Sequence, residues 1–283
     1  MQREIAEVHD GVWQMTVDHG RLRAWSYLID AGEGELILYD LEGIAGVAHL
    51  TSVLKKIGRQ PSDLRVLILS HSHHLNKAKL RSLHAFANCK VLACLQGRQI
   101  MAPAAAPAAA GGDVPVDFSG DAGMIDWLEF FPFKLPFGRE MQIVHTPGHS
   151  PDGISLSLSQ ERVLMCGEAF VGPGPADYLP LYTNVQDYRN TLRWIAEQAP
   201  EKLLTARYGV IEGRRVPAAV DQALRMVQHI EDFIAESISK IDHDITIEQL
   251  ILMLSARFGR KAPVGFSDTV RAHLELLRTG RRS

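Results

Sequence analysis

Residues 66–74 of the chain read Val66-Leu67-Ile68-Leu69-Ser70-His71-Ser72-His73-His74. The first four side chains are apolar, and such a short run that ends abruptly in polar residues is typical of a strand buried on both faces. His71 and His73 then stand two positions apart at the carboxyl end of this strand. Two imidazoles at that spacing can bind one metal ion, because each nitrogen needs to lie only about 2.1 Å from it. A pair of surface histidines in a turn has the same sequence, so the stretch alone leaves both interpretations open.

Three later segments repeat the design of an apolar run followed by polar residues or glycine. Residues 141–144 precede His145-Thr146-Pro147-Gly148-His149, residues 163–166 precede Gly167-Glu168, and residues 202–206 precede Arg207-Tyr208-Gly209. The polar ends of such strands can meet at one rim of a sheet. We therefore expect His149 and Glu168 to join the histidines of the first segment. Three imidazoles with one carboxylate are a suitable ligand set for zinc, iron or manganese.

The remaining pattern up to about residue 215 predicts a layered α/β domain. Some stretches have the apolar pattern of strands, and two others space their apolar residues by three and four positions as in amphipathic helices. The predicted strands are residues 12–17, 25–30, 35–40 and 153–158, together with the four apolar runs above, and the predicted helices are residues 44–57 and 185–198. Residues 101–112 are rich in Ala and bracketed by Pro and Gly, so we assign them no element and no chemistry.

From residue 217 onward the pattern is helical only. One long helix carries a continuous apolar stripe, a second opens at Thr246, whose spacing from Gln249 matches a capping box, and a third opens at Ser267. We therefore expect two domains, residues 1–215 with the candidate ligands and residues 216–283 as a small helical domain. The apolar stripe is compatible with packing on the main domain and equally with a homodimer.

Composition defines the class of protein and excludes several functions. With 283 residues, 46% hydrophobic and 22% charged, the chain has the profile of an ordinary folded protein and not that of a disordered chain or a coiled coil. A net charge of -3 supplies no general attraction to nucleic acid or to an anionic membrane, so a small-molecule substrate is the expected partner. The three cysteines form no Cys-x-x-Cys pair, and no run of about 18 apolar residues occurs, so we expect a cytoplasmic protein without a membrane segment.

Taken together, these segments resemble the metallo-β-lactamase superfamily. Its pattern is His-x-His-x-Asp-His, then Thr-Pro-Gly-His, then Gly-Asp. Here His71-Ser-His73-His74-Leu75-Asn76, Thr146-Pro147-Gly148-His149 and Gly167-Glu168 occur in the same order, and the likeness extends from about residue 12 to residue 210. The resemblance implies an α/β fold, a four-layer αββα sandwich with metal bound at one edge between two sheets. It also implies a small, winged-helix-like C-terminal domain.

The resemblance further implies that one of the family's two adjacent metal sites is lost. All three histidines of the first site are present. Where the second site needs an aspartate, a histidine and a late histidine, the chain has Leu75, Asn76 and Tyr208, which are poor metal ligands. The bridging aspartate is replaced by Glu168, which is one methylene longer. The expected site therefore holds one divalent transition metal, zinc before iron or manganese, or holds none.

Two enzyme classes and one non-enzyme class follow from this site. The leading hypothesis is a hydrolase in which a metal-bound hydroxide attacks an ester, thioester, amide or phosphoester, since a single zinc with an open position brings the pKa of bound water to about 7. Glu168, His74 and Tyr208 are the candidate catalytic groups, with His74 and Tyr208 as proton donors. The alternatives are a mononuclear non-haem iron oxidoreductase acting on a sulfur substrate and a non-catalytic form of the fold that binds a partner.

Overall fold

The first of two β-sheets contains the strand that precedes His71. The computed structural model describes residues 3–19, 22–72, 75–101, 124–174, 177–240 and 245–280, so most of the alanine-rich segment lies outside the described residues. In order of pairing, the described strands of the first sheet are β1 (Arg3–His9), β2 (Val12–His19), β3 (Leu22–Gly32), β4 (Glu35–Tyr39), β5 (Leu64–Ile68), β6 (Lys90–Cys94) and β7 (Ile125–Leu128). Pairs from β1 to β4 are antiparallel and pairs from β4 to β7 are parallel. The residues that follow β4 and β5 therefore leave the sheet at the same edge.

The second sheet contains the strands that precede His149 and Glu168. In order of pairing, its described strands are β13 (Gly209–Glu212), β12 (Lys202–Thr205), β11 (Val163–Gly167), β10 (Ile154–Leu158), β9 (Gln142–His145) and β8 (Phe133–Lys134). β11 and β12 are parallel, while β10 is antiparallel to both β9 and β11. Strands β9, β11 and β12 thus run in one direction, and the polar residues after each of them leave the sheet at one edge.

Apolar side chains join the two sheets face to face and cover their outer faces with helices. Tyr27 and Ile37 of the first sheet share a buried cluster with Ile143 and Leu156 of the second. The outer face of the first sheet packs on α1 (Val47–Lys56) and α2 (Lys77–Ala87), and that of the second sheet packs on α4 (Val185–Glu197), while the short α3 (Gln96–Met101) follows β6. This is the four-layer αββα sandwich that the resemblance implied, so the predicted fold class is confirmed.

The C-terminal residues that the structure describes form α5 (Val216–Lys240), α6 (Ile247–Phe258) and α7 (Phe266–Thr279). The first part of α5 shares a core with α4, and Ile234 farther along shares a second core with α6 and α7. Thr246 Oγ1 accepts a hydrogen bond from Gln249 N at 3.2 Å and Gln249 Oε1 accepts one from Thr246 N at 2.8 Å, which confirms the predicted capping box. Among the described residues, no helix combines the length and the apolar character that a membrane crossing requires.

Candidate metal centre

Three of the predicted ligands meet at the edge where β5, β9 and β11 end. One ligand atom each from His71, His149 and Glu168 lies within 4.8 Å of the others. The Nε2 of His149 is 3.0 Å from Oε2 of Glu168, and the His71 and His149 rings meet edge to face with centroids 5.1 Å apart. His73 and His74 lie outside the described residues, so their predicted roles as ligand and as proton donor stay predictions.

The turn that carries His149 is shaped by Gly148. Its φ of 128° is a conformation that side chains disfavour, and a β-carbon at this position would lie 2.4 Å from both N and Cα of Tyr188 on α4. The Gly148 carbonyl accepts hydrogen bonds from Thr183 N at 2.8 Å and from Asn184 N at 3.1 Å. Asn184 in turn caps the first turn of α4. The ligand turn therefore rests directly on the start of α4, and this fixes the position of the His149 backbone.

Hydrogen bonds on the far side of both imidazoles orient the rings. The Nδ1 of His149 donates to the carbonyl oxygen of Leu181 at 2.7 Å, because a carbonyl can only accept, and this tautomer directs the Nε2 lone pair to the centre of the cluster. The Nδ1 of His71 lies 2.9 Å from the hydroxyl of Ser70, whose backbone N–H donates to the buried carboxylate of Asp40 at 2.7 Å. Metal-binding histidines typically carry such outer hydrogen bonds, so both imidazoles are suited to bind a cation.

Glu168 and His71 have shifted protonation equilibria that favour cation binding. Burial by itself would raise the pKa of Glu168, but the Arg207 guanidinium and then the two imidazoles hold that pKa well below its usual range. Burial lowers the pKa of His71, and His149 adds to this effect against the opposite pull of Glu168. The cluster therefore presents an ionised carboxylate and a neutral imidazole, which are the forms that bind a metal ion.

Arg207 is the residue of this site that the interpretation of the sequence missed. Its guanidinium forms an ion pair with Oε1 of Glu168, whose other oxygen faces His149. Burial would lower the pKa of Arg207, but Glu168 and Glu42 raise it above its usual value, so the guanidinium stays charged. The sequence did contain an indication of Arg207. It is the first polar residue after the apolar run that forms β12, and polar residues after an apolar run had also identified the other three segments.

Tyr208 lies beside Arg207 but contacts a different part of the molecule. Its hydroxyl donates to the carbonyl of Gly174 at 2.7 Å and lies 3.3 Å from that of Val171, and its ring meets Phe170 edge to face. Burial raises the pKa of Tyr208 to about 12. The side chain that reaches Glu168 from this turn is that of Arg207, and the role of Tyr208 as a proton donor stays a prediction.

The other positions of the predicted second site have different tasks. Leu75 packs against the core between the first sheet and its helices, and Asn76 Oδ1 accepts a hydrogen bond from Lys79 N at 2.9 Å as the N-cap of α2. His145 donates from Nε2 to the Pro151 carbonyl at 2.9 Å. Within the described part of the chain, the donors therefore fit one cation bound by two imidazole nitrogens and one carboxylate oxygen.

A cavity of about 650 Å³ opens beside the His149 turn. Ser150 and Pro151 line one side of it, and Leu181, whose carbonyl holds His149, lines it next to them. Asp268 and Arg271 of α7 line it as well. The volume lies in the range of pockets that bind small organic molecules. A molecule in this cavity would lie between the ligand turn and the C-terminal helix.

Sequence comparison connects the chain to one family. A family model described as the metallo-beta-lactamase superfamily matches residues 97–211. A curated relative, the Beta-lactamase-like protein 2 homolog of Drosophila melanogaster, is 26% identical in an alignment of 192 positions that covers 65% of this chain and 55% of that protein. The chain thus spans about half the length of the curated relative that it matches.

Solved structures share the fold over most of the chain. A metallo-beta-lactamase family protein from Thermus thermophilus matches with a TM-score of 0.70 and 18% identity, covering 97% of this chain and 95% of that chain. The metallo-beta-lactamase FIM-1 from Pseudomonas aeruginosa in its mono-zinc form matches with a TM-score of 0.57 and 12% identity, covering 81% of this chain and 96% of that chain. At these identities the likeness concerns the fold.

Proposed function

The chain belongs to the metallo-β-lactamase superfamily, and from this premise we propose that it is a metal-dependent hydrolase that works with a single ion. The proposal depends on one observation, the meeting of His71, His149 and Glu168 with the outer nitrogens of both imidazoles hydrogen-bonded. His73, predicted from the sequence, would complete the ligand set. Zinc is the first candidate for the ion, and iron and manganese accept the same donors.

The ion and the chain contribute different parts of the chemistry. A divalent ion held here would act as a Lewis acid and lower the pKa of a coordinated water toward neutrality. Glu168 remains ionised beside Arg207, and the Leu181 carbonyl keeps the His149 ring in one tautomer and one orientation. The substrate class that suits this chemistry is an ester, thioester, amide or phosphoester, whose reacting carbon or phosphorus a Lewis-acid ion with a bound water can attack.

Arg207 is the reason for proposing one ion instead of two. A second cation beside the first would need the Glu168 oxygen that the guanidinium already contacts. Leu75 and Asn76, at two positions where the resemblance places second-site ligands, are used for core packing and helix capping. The guanidinium thus supplies a permanent positive charge that is part of the chain, at the place where a second metal ion would supply a charge that can dissociate.

Metal analysis together with hydrolysis assays tests the proposed function. Protein purified without added metal is expected to contain about one equivalent of a transition metal. Treatment with a chelator should abolish hydrolysis within a panel of p-nitrophenyl acetate, an acyl thioester and bis-p-nitrophenyl phosphate, and added Zn²⁺ should restore it. Less than about a tenth of an equivalent, unchanged in His71→Ala, would overturn the proposal. If hydrolysis were also absent, the result would favour the non-catalytic form of the fold.

Substitution of Arg207 tests the single-ion proposal separately. Arg207→Ala should bind one Zn²⁺ about tenfold more tightly than the wild type, because a positive charge next to the ion is removed. Arg207→Lys retains that charge and should bind with nearly wild-type affinity. Calorimetric titration with Zn²⁺ gives both the affinity and the stoichiometry. Two ions bound by the wild type, or weaker binding by Arg207→Ala, would contradict a guanidinium that takes the place of a second cation.

A second candidate function follows from the donor set itself. Two histidines with one carboxylate are also the combination used by mononuclear non-haem iron oxygenases, and His71, His149 and Glu168 provide it. Protein purified without oxygen should then contain iron and consume dioxygen when a thiol or persulfide is added. Zinc as the bound metal, with no oxygen uptake, would decide for the hydrolase.

A further inference from the structure

A short segment lies between the ligand turn and the C-terminal helix α7. We call residues 181–184 the strap. On the side of the metal centre, the Leu181 carbonyl accepts the hydrogen bond from His149 Nδ1 at 2.7 Å. The N–H groups of Thr183 and Asn184 both donate to the Gly148 carbonyl. The strap therefore fixes both the ring of His149 and the backbone next to it.

On its other side the strap is bound by two buried residues of α7. Tyr182 N donates to Thr269 Oγ1 at 3.0 Å, and Thr269 Oγ1 donates back to the Tyr182 carbonyl at 2.7 Å. One hydroxyl, which has one hydrogen and two lone pairs, thus satisfies both backbone groups of Tyr182. The Tyr182 hydroxyl lies 2.8 Å from Nε2 of His273, and both α7 residues are fully buried.

Further buried groups hold α7 in place beneath the strap. His273 Nδ1 lies 3.8 Å from Oε2 of Glu231 on α5, and this carboxylate lies 3.1 Å from Arg189 on α4. The ring of Tyr182 stacks on Tyr188 of α4 with centroids 4.7 Å apart. Three helices thus meet around the side chain of Tyr182. Because such groups are buried, the loss of one hydrogen bond leaves its partner without water to replace it.

We propose that Thr269 and His273 of α7 are positioning residues of the metal centre, acting on His149 through the strap. This inference rests on the proposed metal site, and it assigns to the C-terminal helix a task beyond packing. Thr269 holds both backbone groups of Tyr182, so it fixes the direction of the preceding carbonyl, Leu181, that orients the His149 ring. Displacement of the strap would move the Leu181 carbonyl and with it the imidazole that this carbonyl orients.

Cobalt binding to Thr269 variants tests the inference. Thr269→Val keeps the shape of the side chain and removes both hydrogen bonds, so Co²⁺ affinity should fall by about tenfold, the lower end of the loss seen when groups behind a ligand are removed. The visible absorption of the bound Co²⁺ should change as well. Thr269→Ser keeps the hydroxyl and should restore affinity and spectrum. Thr279→Val is the matched control on α7, because the partners of the Thr279 hydroxyl in the described part of the chain are carbonyls of its own helix, and it should leave both unchanged.

Tyr182→Phe provides a second variant in case Thr269→Val does not fold. It removes only the contact with His273 and keeps the stacking on Tyr188, so a loss of affinity by about threefold is expected. Wild-type affinity and spectrum in whichever of the two variants folds would overturn the inference and leave the proposed function standing. Failure of the wild type to bind Co²⁺ would overturn the proposed metal site, and the inference with it.

Discussion

His149→Ala should lower the affinity for Zn²⁺ by more than about a hundredfold, since residues that only support a ligand already account for ten- to a hundredfold. The substitution removes the imidazole whose Nε2 lies 3.0 Å from Glu168. It also deprives the Leu181 carbonyl of its hydrogen bond. Equilibrium dialysis against Zn²⁺ at near-neutral pH, followed by elemental analysis, measures the loss.

His145→Ala is the matched control for this prediction. His145 is the last residue of β9, just before the same turn, but its Nε2 donates to the Pro151 carbonyl and its ring stacks on Phe131. Removal of this imidazole should change Zn²⁺ affinity by less than about threefold, because it lies outside the ligand cluster. Equal losses in the two variants would mean that the turn as a whole is needed, and not His149 as a ligand. No loss in either would contradict the metal site.

The ligand cluster was predictable because strand direction decides where side chains meet. His71, His149 and Glu168 each follow an apolar run, and an apolar run that ends in polar residues indicates a buried strand and the edge at which it ends. Once the fold is an αββα sandwich, these edges lie together. The same argument covers Arg207, which follows β12 at this edge.

The choice between Arg207 and Tyr208 was not predictable from the sequence. The turn after β12 is closed by the Thr205 hydroxyl, which accepts from Tyr208 N at 2.8 Å and donates to the Gly209 carbonyl at 3.2 Å. In the turn that these two bonds close, the side chain of Arg207 contacts Glu168, and the side chain of Tyr208 contacts the loop at Gly174. Periodicity does not report the direction of side chains within a turn, so the sequence does not indicate which of two neighbouring side chains reaches Glu168.

Two elements near the site were missed for different reasons. β6 (Lys90–Cys94) is an apolar run like the other four and polar residues follow it from Gln96, but a run this short cannot be distinguished by periodicity from part of a buried helix. α2 (Lys77–Ala87) has Asn76 as its N-cap, a position interpreted from the sequence as a lost metal ligand. Asparagine is one of the preferred N-cap residues, so local helix signals would have explained this position before any comparison with the family.

Gly148→Ala should lower the free energy of unfolding of the metal-free protein by roughly 3 kcal/mol or more, because it combines backbone strain with an overlap that cannot relax. The φ of 128° disfavours any side chain, and the new β-carbon would lie 2.4 Å from backbone atoms of Tyr188. Those atoms belong to α4 and cannot move as a side-chain tip can. The melting temperature should fall by roughly 6–12 °C, at about 2–4 °C for each kcal/mol.

Gly58→Ala is the control that separates the effect of backbone strain from the effect of the steric overlap with α4. Gly58 also has a positive φ, 69°, but among the described residues, its two chain neighbours aside, no atom lies within 4 Å of the position that its β-carbon would take. Only the backbone strain is then added, so the free energy of unfolding should fall by about 1 kcal/mol. Thermal unfolding followed by circular dichroism compares the two variants. A similar loss in both would contradict the close contact between the ligand turn and α4, and with it the way in which the fold positions His149.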